Sequence, residues 1–80
     1  MAHVTRVAKW ESLSNGQVAY TLRVDGDASS DQALTMTVAD ASDPAILQTK
    51  LTEFKAQVEA LYDASLASEA QAMTKVGNAI

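Results

Sequence analysis

The chain has 80 residues, which allow one domain that buries only about 60 % of its unfolded surface and holds roughly 3–5 kcal/mol of net stability. It has no cysteine and a single histidine, His3, so disulfides, iron–sulfur clusters, thiolate metal sites and a His-rich zinc site within one chain are all excluded. With a net charge of −4, scattered cations (Arg6, Lys9, Arg23, Lys50, Lys55 and Lys75) and no apolar run near the ~20 residues of a membrane span, neither nucleic acid nor membrane is an expected partner.

The chain opens on Met1-Ala-His-Val-Thr-Arg6, which lacks the apolar core of a signal peptide and predicts a protein of the cytoplasm or of an assembly built there. Residues 3–13 set Val4, Val7, Trp10 and Leu13 among Thr, Arg, Lys and Glu, a mixture that favours a strand. Over residues 17–25, Val18, Tyr20, Leu22 and Val24 alternate with Gln17, Ala19, Thr21 and Arg23. That period of two gives one buried face and one wet face.

Between these strands lies Ser14-Asn15-Gly16, a hairpin signal. A two-residue Asn15-Gly16 turn pairs Leu13 with Val18 and leaves Trp10 on the wet side. A three-residue loop, closed by Gly16 in the left-handed region, pairs Ser12 with Val18, Trp10 with Tyr20 and Ala8 with Leu22. The second register is the expected one, because it puts both large aromatics on the buried face, where their area counts most. Its weakness is that Val7 and Leu13 then point the other way.

The link Asp25-Gly-Asp-Ala-Ser-Ser-Asp31 reads as a polar loop. Residues 33–39 alternate again, with Leu34, Met36 and Val38 against Thr35, Thr37 and Ala39, and predict a third strand. Sequential strands usually pair, so the expectation is a three-stranded antiparallel meander. Ser42 or Asp43 can then cap a helix with Pro44 at its first position. Neither Gly nor Pro recurs until Gly77, which predicts one helix over about 44–76 and an α+β fold. Leu47, Leu51, Phe54, Val58, Leu61, Tyr62, Met73 and Val76 share one broad face, with Leu66 at its edge and Ser65 and Glu69 interrupting it.

Dimensions carry the functional argument. Such a helix runs about 50 Å at roughly 1.5 Å per residue, whereas strands of about eight residues span only ~26 Å. The half from Leu47 to Leu61 can pack on the sheet. The other half keeps Leu66, Met73, Val76 and Ile80 with nothing in the chain to bury them, forgoing roughly 1.5–3 kcal/mol for each Leu-sized side chain. Three outcomes are open: the helix breaks near Asp63-Ala-Ser65 and folds back, the last 18 residues fray, or the distal half packs on another chain.

The chemical motifs are weak. The acidic link resembles the start of a calcium loop, but Ser30 stands where the glycine belongs and Met36 where the bidentate glutamate belongs, so a solvated hairpin loop is expected. The serines lie in no Gly-x-Ser-x-Gly elbow, the three glycines form no phosphate loop, and His3 has no visible orienting partner. The expectation is therefore no catalytic residue, no metal and no cofactor. Trp10 and Tyr20 read as core beneath a helix, and the third strand as an edge open to strand addition.

Val4-Thr-Arg-Val-Ala-Lys-Trp10, then Ser14-Asn-Gly16, then the helix from Pro44 give a pattern that resembles small structural or accessory proteins encoded by tailed bacteriophages. The resemblance covers most of the chain and carries over no functional residue. It implies a virion or assembly component present in many copies, located in the virion or the host cytoplasm. Together these readings predict a homo-oligomer that docks on itself or on other virion proteins through Leu66, Met73, Val76 and Ile80. Thr35 and Thr37 on the exposed sheet form a second candidate surface. The rival expectation is a small acidic inhibitor of a host protein, with Asp25, Asp27, Asp31, Asp40 and Asp43 clustered on one face.

Overall fold

The computed structural model describes residues 2–79. Three strands, β1 (Thr5–Ser12), β2 (Gln17–Val24) and β3 (Asp27–Thr37), form an antiparallel sheet in the order β1-β2-β3. A short helix α1 (Val38–Ala41) and a long helix α2 (Pro44–Lys75) follow, which makes the fold α+β. The predicted helix over 44–76 corresponds to α2 within a residue, and it runs unbroken through Asp63-Ala-Ser65.

The first hairpin adopts the three-residue loop. Gly16 takes φ 77°, Leu13 N–H donates to the Gln17 carbonyl at 2.8 Å, and Ser12 pairs with Val18 and Trp10 with Tyr20. A β-bulge at Ala8 then changes the pairing below Trp10. Val7 sits opposite Leu22 and Lys9 opposite Thr21, so Ala8 is not Leu22's partner. The extra residue reverses the parity of β1 and returns Val7 to the face that holds Trp10.

The second hairpin corrects the sequence reading. The segment from Asp25 to Asp31 is no open loop. Asp25 and Gly26 alone form the turn, at φ 52° and 73°, and Val24 pairs directly with Asp27. Positive φ at both central residues is the requirement of a two-residue type I′ turn, and Asp-Gly is a preferred filling. The third strand therefore begins at Asp27 rather than at residue 33. It ends at Thr37, and Val38 and Ala39 belong to α1. Between Val24↔Asp27 and Leu22↔Gln32 the β3 backbone arches away from its partner. Ser30 fills the gap, its buried hydroxyl accepting Val24 N–H at 2.8 Å and donating to the Asp27 carbonyl at 2.6 Å.

Helix α2 starts where Asp43 caps it, accepting from Ala45 N–H at 2.9 Å and Ile46 N–H at 3.4 Å. Pro44 at the first position gives up no hydrogen bond there. The proximal half lays Leu51, Phe54, Val58 and Tyr62 on Leu22 and Val24, the latter fully buried. The helix packs over β2 and β3 and meets β1 at Thr5, whose hydroxyl donates to Glu59. A helix is about 10 Å across and strands repeat every ~4.8 Å, so one helix shields about two strands. Beyond Thr5 the inner face of β1 is uncovered, with Val7 at the rim of the helix and Trp10 past it, both exposed.

Trp10 shows the consequence. It pairs with Tyr20 as expected, yet it is 56 % exposed rather than buried in the core. The molecule measures 54 × 28 × 19 Å with a radius of gyration of 16.1 Å, against about 12 Å for a compact chain of this length.

Candidate functional site

Two features stand out, an unpartnered apolar surface and a polar clamp at the hairpin end of the sheet. The surface comes from α2. Beyond Tyr62 the helix runs on past the Asp25-Gly26 turn, and the side that faced the sheet carries Leu66 at its edge, then Met73 and, at the cap, Val76, with Ser65 and Glu69 set among them. Leu66 is 46 % exposed, Met73 71 % and Val76 72 %. Ile80 lies outside the described residues. Under this overhang, between the first residues of β3 and the helix, is a notch of about 500 Å³ lined by Asp27, Gln32, Leu61, Leu66 and Glu69 among others. A smaller groove of about 160 Å³ runs between β1 and α2, lined by Val7, Leu51 and Lys55 among others. The accessible surface totals 5701 Å², roughly 1,000 Å² more than a folded monomer of its 8.5 kDa exposes.

The two threonines of the second candidate surface are not equivalent. Thr35 pairs with Ala19 on the face turned away from α2 and is exposed. Thr37 is also exposed, but its hydroxyl accepts Asp40 N–H at 3.1 Å and caps α1. The five aspartates of the rival reading divide between opposite ends of β3, with Asp25, Asp27 and Asp31 at its start and Asp40 and Asp43 beyond its finish. Most are committed to internal bonds. Asp31 accepts from Arg23 Nε at 2.7 Å and Nη2 at 2.8 Å, and Asp43 caps α2.

The clamp is what sequence reasoning missed, since His3 read as a residue without partners. Its Nδ1 lies 2.7 Å from an Asp25 oxygen and its Nε2 2.7 Å from an Asp63 oxygen. Carboxylates only accept, so both ring nitrogens donate and the bridging form is the imidazolium. The Tyr62 ring meets His3 edge-on at 5.5 Å, and its hydroxyl donates to Asp27 at 3.2 Å. Asp25 also accepts Val4 N–H at 2.8 Å. The cluster ties the start of β1, the β2–β3 turn and the middle of α2 into one corner. A pairing across 60 residues leaves no spacing signal in the sequence.

These contacts shift the charges. The hydrogen bonds to Asp25 and then Asp63 raise the His3 pKa above its ordinary 6.5. The Val4 amide, followed by His3, lowers that of Asp25 below 3.8. Removal from water, and then the bond to Asp27, pushes Tyr62 up. A raised histidine stabilises the fold fully below about pH 6.5 and loses that contribution as pH rises through the folded value. A lowered carboxylate contributes above about pH 3.8 and loses its share as pH falls through its folded value. The thermal midpoint should therefore peak between these limits and decline as pH rises above about 6.5, while His3→Gln flattens the alkaline limb. Differential scanning fluorimetry across pH on both proteins checks this.

Among the described residues no group of three His, Cys, Asp or Glu side chains is arranged to hold a metal ion, and no helix is long and apolar enough to cross a membrane. Comparison with protein-family models, with curated proteins and with solved structures returned no match.

Proposed function

We propose that this protein is a non-catalytic structural module that assembles with copies of itself through the distal half of α2. The observation that carries the reading is the overhang. Beyond the half that buries Phe54 and Val58, α2 and its cap leave Leu66, Met73 and Val76 open to solvent around Ser65 and Glu69. Each such side chain forgoes roughly 1.5–3 kcal/mol of burial. A helix this long is also more than the sheet needs for its core. Large apolar side chains left exposed next to a core-facing side mark an interaction surface.

The pattern shared with small structural and accessory proteins of tailed bacteriophages supports a setting in which many copies meet, in a virion or in the host cytoplasm while one is built. Other virion proteins are then further partners of the same surface. The rival reading, an acidic inhibitor of a host protein, loses its support because the aspartates are divided between two ends of the sheet and are mostly spent on internal hydrogen bonds.

The test is the double variant Leu66→Glu/Met73→Glu. Both side chains are exposed, so the fold should persist with a change of no more than ~0.5 kcal/mol per site. Size-exclusion chromatography with light scattering should give an oligomer for the wild type and a monomer for the variant. A variant that keeps the wild-type mass refutes the proposal.

A further inference from the structure

We infer that the copies join head to tail, the distal half of α2 in one copy lying along the bare inner face of β1 in the next, with Trp10 entering the notch beneath the overhang. This rests on the assembly proposed above and names the surface that receives the helix.

Among the described residues, the two largest groups of uncovered apolar side chains on the sheet-facing side cannot meet each other. One is the underside of α2 beyond Tyr62. The other is the inner face of β1, where Val7 and Trp10 stand exposed because a single helix shields two strands of three. No Gly or Pro interrupts the chain between Pro44 and Gly77, so the overhang is rigid and extends away from its own Trp10. Each face finds its cover only in a second copy.

The dimensions agree. Residues 61–76 of the helix and its cap span about 24 Å, and the eight residues of β1 about 26 Å. The surplus surface, shared over one interface per copy, is roughly 1,000 Å², about the threshold of a specific interface.

The chemistry also favours this pairing over a symmetric one. The overhang is centred on Glu69, so a two-fold helix pair about that point sets two Glu69 side chains together, which costs affinity. Head to tail, the two Glu69 side chains stay apart, and the groove beside β1 presents Lys55, which bridges Glu59 of its own helix at 3.8 Å, in place of a second carboxylate. The indole N–H of Trp10 needs an acceptor when buried, and the notch offers the Glu69 carboxylate beside the apolar wall of Leu61 and Leu66, Asp27 being taken up by Ser29 and Tyr62. A head-to-tail contact closes into a ring or continues as a filament according to the rotation between copies.

Mixing two variants tests this. Trp10→Glu spoils the receiving face and leaves the overhang intact; Leu66→Glu/Met73→Glu does the reverse. Each alone should be monomeric by light scattering with a wild-type far-UV spectrum. Their equimolar mixture should form a heterodimer and nothing larger, because one good face of each kind remains. Should Trp10→Glu lose its fold, Val7→Glu, also on an exposed residue, takes its place. A Trp10→Glu protein that assembles like the wild type overturns the head-to-tail arrangement and leaves the helix surface standing. A mixture that stays monomeric overturns it too. A helix variant of wild-type mass, or a wild type that is monomeric throughout, overturns the underlying assembly as well.

Discussion

Leu22→Ala should leave the protein largely unfolded at 37 °C. Leu22 is buried where β2 meets Val58 of α2, in a cluster with Val24 that Leu51, Phe54 and Tyr62 complete. Truncating a buried leucine costs about 2–5 kcal/mol from lost transfer energy and the cavity left behind. The whole domain holds only roughly 3–5 kcal/mol, so one substitution removes most or all of it. Met73→Ala is the contrast. It deletes a similar apolar volume from an exposed site and should change monomer stability by no more than about 0.5 kcal/mol. Urea denaturation followed by far-UV circular dichroism separates the two. On the proposed assembly, the wild-type midpoint also rises with protein concentration, because association engages only folded chains. A Leu22→Ala protein as stable as the wild type would mean that α2 and the sheet do not share this core.

Ser30→Ala should destabilise by about 1–3 kcal/mol, far more than a serine-to-alanine change on an open strand. The Ser30 hydroxyl replaces a missing ladder bond. Where β3 arches between Asp27 and Gln32, it accepts the amide of fully buried Val24 and donates to the Asp27 carbonyl. Alanine fills the space but leaves the N–H of fully buried Val24 without its partner. Hydrogen exchange at Val24 should rise sharply in the variant and change little at Trp10, whose pairing with Tyr20 lies further along the sheet. Threonine keeps the hydroxyl and suits a strand, so Ser30→Thr should recover most of the loss if its methyl is accommodated. A Ser30→Ala protein with unchanged stability and exchange would show that water reaches the arch.

The clamp and the overhang differ in what they do for α2. His3 with Asp25 and Asp63 holds the middle of the helix to the hairpin end of the sheet. It thereby fixes the direction in which residues beyond Asp63 project. Bidentate pairing of Arg23 with Asp31 is a second local tie, across β2 and β3. Asp25 and Asp31, which the sequence presents within one acidic link, serve these two ties separately, and Asp63 of α2 completes the first.

Much of the architecture was written in local pattern. Alternation in 17–25, the Ser14-Asn15-Gly16 signal and the Gly- and Pro-free run from Ala45 to Val76 are short-range statements about backbone geometry, and they led to the first hairpin register and to α2. Asp25-Gly26 was equally legible as a type I′ turn. Reading it as part of a loop cost the first six residues of β3. Helix length against strand length was legible too, since both follow from residue counts. The bulge at Ala8, the arch closed by Ser30, the exposure of Trp10 and the bridging of Asp25 to Asp63 through His3 were decided only by the tertiary structure. The physical reason is common to all four. Period and turn chemistry act between neighbours in the chain, whereas strand registers, which strand the helix covers, and which charges meet across it are set by segments that come together only in the folded chain.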